Sequence, residues 1–182
     1  MNPFEKVPSQ NGAKDFLGVG EAVEKGEGRK LLKELEATGQ YVFHGSPASS
    51  VEVLEPRQPK NWIGGQAVDH GEKSVAATPF ADLAIFRALV QQDYTSFGMT
   101  DDGPYCAASR KALEFAKNDV GHVYVLPRQN FVPFEDGPME WRTHEAIKPL
   151  RVVAVRFEDL PPDIRVLDEE GNLTTHRTGE KE

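Results

Sequence analysis

The chemistry-bearing residues of this chain fall in three short segments. In the first, "YVFHGSP" (41–47), an apolar run meets His44, Gly45 and Ser46. An imidazole is both a hydrogen-bond donor and an acceptor near neutral pH. A glycine lets the backbone come close to a ligand, because no Cβ intervenes. In the second, "AATP" (76–79), Thr78 precedes a helix-like segment that carries Phe86. The third, "MEWRTHEAIKPLRVVAV" (139–155), holds the carboxylates Glu140 and Glu145, with Glu135 and Asp136 just upstream. A carboxylate in a cleft can stabilise positive charge that builds up on a reacting group.

Several other chemistries are not signalled. None of the five histidines has the spacing of a helical zinc site, so no metal centre is expected. There is no phosphate-binding Gly-rich loop of either common type. The Phe43–Pro47 stretch is not a nucleophile elbow, which needs Gly-x-Ser-x-Gly. The single cysteine, Cys106, excludes an intrachain disulfide and reads as a buried thiol. A net charge of −8 argues against non-specific binding of polyanions, and no Lys/Arg run appears. The start has no apolar core of signal-peptide length, and no stretch approaches a membrane span, so a cytoplasmic protein without membrane contact is expected.

The elements that position these residues are only partly periodic. "GRKLLKELEATGQ" (28–40) predicts a helix, with Leu31, Leu32 and Leu35 on one face and Gly39 as its cap. Tyr41–Phe43 predicts a strand ending at His44. Residues 51–73 read as a long loop, 74–79 as a short buried strand and 80–92 as a core-packed helix. Residues 93–109 are loop-like, with a helix at 109–119. "HVYVLP" (122–127) and "LRVVAVRF" (150–157) predict strands, with a short one near Glu140–Thr143 between them. Residues 163–177 suit a hairpin turning at 170–172. A polar arm (1–14), one α+β domain (15–177) and a polar tail (178–182) complete the expectation.

In their order, the three segments resemble the histidine-bearing branch of the ADP-ribosyltransferase superfamily. There a strand ends in an apolar residue followed by His-Gly-Ser/Thr, a second ends in Thr before a helix rich in small residues, and a later strand carries an acid. "HVYVLP" and "PLRVVAV" look like strands of the small bacterial rifampicin ADP-ribosyltransferases. The resemblance covers roughly residues 41–157. It implies a split antiparallel β core and NAD as co-substrate, with no metal. It implies that His44 binds a ribose and belongs to the catalytic set, that Gly45 binds the carboxamide, and that Ser46, Thr78 and Phe86 are among the NAD-binding residues. An acid would hold the reacting ribose, as a carboxylate does in glycoside hydrolysis. Glu140 is the first choice, then Glu145, then Asp136, with Glu135 also in range. The branch often has a tyrosine on its second strand. This chain has none there, which leaves Tyr94, Tyr105 or Phe86 to supply a ring.

The activity so implied is cleavage of the nicotinamide–ribose bond and transfer of ADP-ribose to an unknown acceptor: protein, small molecule or nucleic acid. Water as acceptor would make the protein an NAD glycohydrolase. An inactive NAD-binding or protein-interaction module is the alternative with the same fold. Taken alone, His44 also fits a half-buried histidine capping a turn, in an unrelated α+β domain.

Overall fold

The leucine spacing of residues 31–35 forms helix α1 (Glu27–Ala37), with Leu32 fully buried and Leu31 and Leu35 packed at the core margin. Gly39 ends it in a left-handed conformation, φ +67°, which a side chain would strain. The computed structural model describes residues 26–49, 51–63, 66–91, 95–135, 138–168 and 171–177. The expected arm (1–14), the tail (178–182), Tyr94 and Asp136 lie outside the described residues.

After α1 come strands β1 (Tyr41–Ser46), β2 (Lys60–Ile63), β3 (Gln66–Asp69) and β4 (Val75–Ala77), and then helix α2 (Ala81–Leu89). Strands β5 (Thr95–Thr100) and β6 (Gly103–Ser109) lead into helix α3 (Arg110–Ala116). The chain continues through β7 (Gly121–Pro127), β8 (Val132–Pro133), β9 (Trp141–Thr143), β10 (Arg151–Val155), β11 (Arg165–Leu167) and β12 (Leu173–Arg177). Helices and mostly antiparallel sheets make an α+β fold. Among the described residues no helix is long and apolar enough to cross a membrane.

The central sheet has the order β1-β7-β10, antiparallel throughout. Side chains alternate between its faces. Phe43, Val123, Val125, Val153 and Val155 face α1 and α2 in one core. Val42, Tyr124 and Leu126 face a second, smaller core with Leu54, Val75 and Ile147. β1 runs longer than its sequence suggests. β7 pairs with every residue from Tyr41 to Ser46, so a long-range ladder overrides the local Gly-Ser-Pro break. His44 and Gly45 thus lie within the strand and point to opposite faces.

Two further expectations change. Residues 95–109, read as loop-like, form the β5–β6 hairpin, which turns at Asp101–Asp102 with Gly103 at φ +119°. The Asp-Asp-Gly-Pro cluster looks like loop in sequence because it is the turn itself. Within 51–73, read as loop, β2 and β3 pair as a hairpin. The hairpin expected over 163–177 is present as β11 and β12, and β11 also joins β6 in parallel. A small sheet, β4-β9-β8, lies beside β1, and among the described residues one backbone bridge, Phe43 with Thr78, joins the two.

Candidate functional site

The cleft opens where β1 and β4 part. Phe43 N–H donates to Thr78 O (2.7 Å) and Thr78 N–H to Phe43 O (2.9 Å). In an antiparallel ladder the next hydrogen-bonded rung would join Gly45 and Ala76. That rung is not formed. His44 Nδ1 instead lies 2.7 Å from the Ala76 carbonyl, so an imidazole takes the acceptor that the Gly45 amide would have used. Backbone polar groups alternate edges along a strand, so the edge that pairs with Thr78 at Phe43 also carries the Gly45 N–H and C=O. Those groups are directed at the gap.

The bond to Ala76 sets the His44 tautomer. A carbonyl only accepts, so Nδ1 carries the proton and Nε2 is left as an acceptor. Burial pushes the His44 pKa below its ordinary value. The Ala76 bond opposes that shift, while the charges of Arg87 and Arg57 add to it. In the neutral imidazole Nε2 can accept a hydrogen bond and cannot donate one.

Gly45 has a second constraint. A Cβ placed on it would lie 2.0 Å from the Ala84 carbonyl of α2. Gly121 on β7 meets Ala88 of α2 in the same way, at 2.7 Å. The missing Cβ of Gly45 therefore serves the close approach of helix to sheet. What it leaves for a ligand is the strand edge, not the glycine's open face.

The cleft has a volume of about 810 Å³, and His44, Ser46 and Glu140 all line it. Tyr124 pins the segment after β1, its hydroxyl donating to Ala48 O at 2.5 Å and accepting from Val51 N–H at 3.4 Å. The chain is acidic overall, yet Arg57, Lys60, Arg87 and Arg142 line the cleft against Glu55, Glu135 and Glu140. Among the described residues Arg57, Lys60 and Arg87 make no ion pair, whereas Arg142 Nε lies 2.5 Å from Glu140 Oε1. Phe97 also lines the cleft, with the Arg87 guanidinium 5.5 Å above its ring.

Apart from Glu135, the remaining candidates among the described residues are not brought to the cleft. Phe86, a candidate ring for the ligand, is 1% exposed and packs in the main core, because α2 buries that face against β1 and β7. Thr78 is buried at the bridge, where its hydroxyl accepts from Phe80 N–H (3.2 Å) and steadies the start of α2. Glu145 lies past the end of β9, is exposed, and does not line the cleft. Tyr105 lines a different cavity, beneath Arg165. Glu135 lines the cleft with a left-handed backbone, φ +50°. The scattered arginines Arg57, Arg87 and Arg142 carried no spacing signal in the sequence, and only folding gathers them.

Compared with protein-family models, curated proteins and solved structures, the chain has no match.

Proposed function

We propose that this chain is an ADP-ribosyltransferase-like enzyme that cleaves the nicotinamide–ribose bond of NAD. The observation that carries the reading is the meeting of the neutral His44 and the carboxylate of Glu140 in one cleft, beside a Gly45 strand edge that has no backbone partner among the described residues. Two sheets parting after one backbone bridge among the described residues suit the split β core of that superfamily.

The roles follow from donor and acceptor chemistry. A carboxamide offers one acceptor and one donor side by side, which matches the N–H and C=O of a single residue, Gly45. His44 Nε2 accepts from a ribose hydroxyl. Arg57, Lys60 and Arg87, which make no ion pair among the described residues, suit the pyrophosphate. Phe97 supplies a ring in the place of the absent tyrosine. As the C1′–N bond breaks, its electron pair leaves with nicotinamide and positive charge grows on the ribose ring. Glu140 stabilises that charge and holds the 2′-hydroxyl. The acceptor's nucleophilic atom then bonds to C1′ and releases its proton to solvent. With water as acceptor the same site is an NAD glycohydrolase.

The test is release of nicotinamide from labelled NAD. Glu140→Gln is expected to slow it by about 10²–10³-fold, with NAD still bound. His44→Ala is expected to weaken NAD binding by about tenfold. Binding by calorimetry without release would make the chain an NAD-binding module. Absence of binding would remove NAD from the account.

A further inference from the structure

We infer that Arg142 is the positioning residue for Glu140, a role that rests on the proposed reading of the cleft. Arg142 is 4% exposed, and a buried charge is costly unless it is paired. Its guanidinium is held on several sides. Nε donates to Glu140 Oε1 at 2.5 Å, and Nη1 donates to the His70 carbonyl at 3.3 Å. The carbon at its centre lies 3.3 Å from the centroid of the Phe134 ring. Gly71, at φ +75°, completes the slot, since a Cβ there would lie 2.9 Å from Nη1.

The slot is built from separate parts of the chain: the turn after β3, the residue after β8, and β9 itself. The planar group therefore has one orientation. Only a guanidinium can stack on a ring and direct two N–H groups at fixed angles, whereas an ammonium is a point charge. With Oε1 held, Oε2 is the carboxylate oxygen left for a ligand. Arg142 also stands opposite Ala76 in the β4–β9 register. Ala76 is the residue whose carbonyl fixes His44. One rung of the small sheet thus sets both cleft groups, and Arg142 does so for the acid without reaching the substrate itself.

The discriminating variant is Arg142→Lys, which keeps the charge and loses the fork and the plane. On the purified protein, nicotinamide release is followed across NAD concentrations. The expected result is a fall in kcat of about 10²-fold, as for a misplaced catalytic group. KM for NAD should stay within about threefold, because ground-state contacts remain. A rise in KM with kcat unchanged would make Arg142 a substrate ligand and overturn the inference. So would wild-type kcat in a variant whose melting shows it folded. Should the lysine variant not fold, Phe134→Leu loosens the slot and leaves both charges. It is expected to lower kcat in the same sense by about tenfold, and an unchanged kcat there overturns the role. A wild-type protein that releases no nicotinamide would defeat the proposed reaction, and this role with it. An active wild type with an insensitive Arg142→Lys defeats the role alone.

Discussion

Helix α2 lends a charged residue to each of two cavities, Arg87 to one and Asp82 to the other, and the two are met differently. One is the 810 Å³ cleft, where Arg57, Lys60 and Arg87 have no carboxylate partner among the described residues. The other is a cavity of about 280 Å³ lined by Arg29, Asp82, Tyr105, Cys106 and Arg165. There one cation has a carboxylate partner. Arg29 forks onto both oxygens of Asp82, at 2.7 and 3.0 Å, and Arg165 stacks 4.4 Å above Tyr105. Burial pushes the Cys106 thiol up to about 12, so it is no nucleophile at neutral pH. The Arg29–Asp82 pair ties α1 to α2. In the larger cleft, cations with no carboxylate partner among the described residues stand around a neutral imidazole and an open strand edge, which is the arrangement the proposed NAD site draws on.

That contrast can be broken at its hinge. Gly45→Ala is expected to have the largest effect, because its Cβ would meet the Ala84 carbonyl and push α2 off β1. Since α2 carries Arg87 to one cavity and Asp82 to the other, both should be disturbed together. A loss of about 3 kcal/mol in urea unfolding is expected, and a fully stable variant would show that α2 can shift at no cost.

A sharper cut separates the two cavities. Arg57→Ala and Arg87→Ala are each expected to weaken NAD binding by about tenfold, measured by calorimetry. Asp82→Asn, in the paired cavity, should leave NAD binding unchanged. It should lower stability by no more than about 1 kcal/mol, since the pair is partly exposed. Equal effects on binding from both sides would erase the distinction.

The smallest effect is one of pH. His44 is held neutral by burial, with its folded pKa below the ordinary value of 6.5. Between those two pKa values the unfolded chain binds a proton that the folded chain does not, so stability rises with pH across that window. The contribution of His44 is fully present above about pH 6.5 and is lost as pH falls toward the folded pKa. His44→Gln should flatten that part of the stability–pH curve. NAD binding should weaken over the same acid range in the wild type, because protonation removes the Nε2 acceptor. A slope that survives His44→Gln would place its origin elsewhere.

Much of the architecture was legible in the chain because periodicity is local. The leucines of α1, the apolar face of α2, and the runs at 122–127 and 150–157 each reveal burial within a few residues. The β5–β6 hairpin was missed because Gly98 and the Asp101–Gly103 turn hide a pairing that only the partner strand completes. Gly98 itself is required by the Tyr105 ring, which would stand 2.6 Å from a Cβ.

The sequence by itself put forward His44, Gly45, Ser46 and a choice of acid among Glu140, Glu145, Asp136 and Glu135, since their types and order are written along the chain. Only the tertiary structure decided what surrounds each. It turned Gly45 from an open approach into a helix contact with a free edge. It fixed the His44 proton through a carbonyl 32 positions away. It buried Phe86, left Glu145 outside, and drew Arg57, Arg87 and Arg142 from separate segments to one cleft. The reason is physical: residue type sets what a group can donate, accept or charge, whereas its partner, its face and its neighbours are long-range properties that appear only when the strands pair.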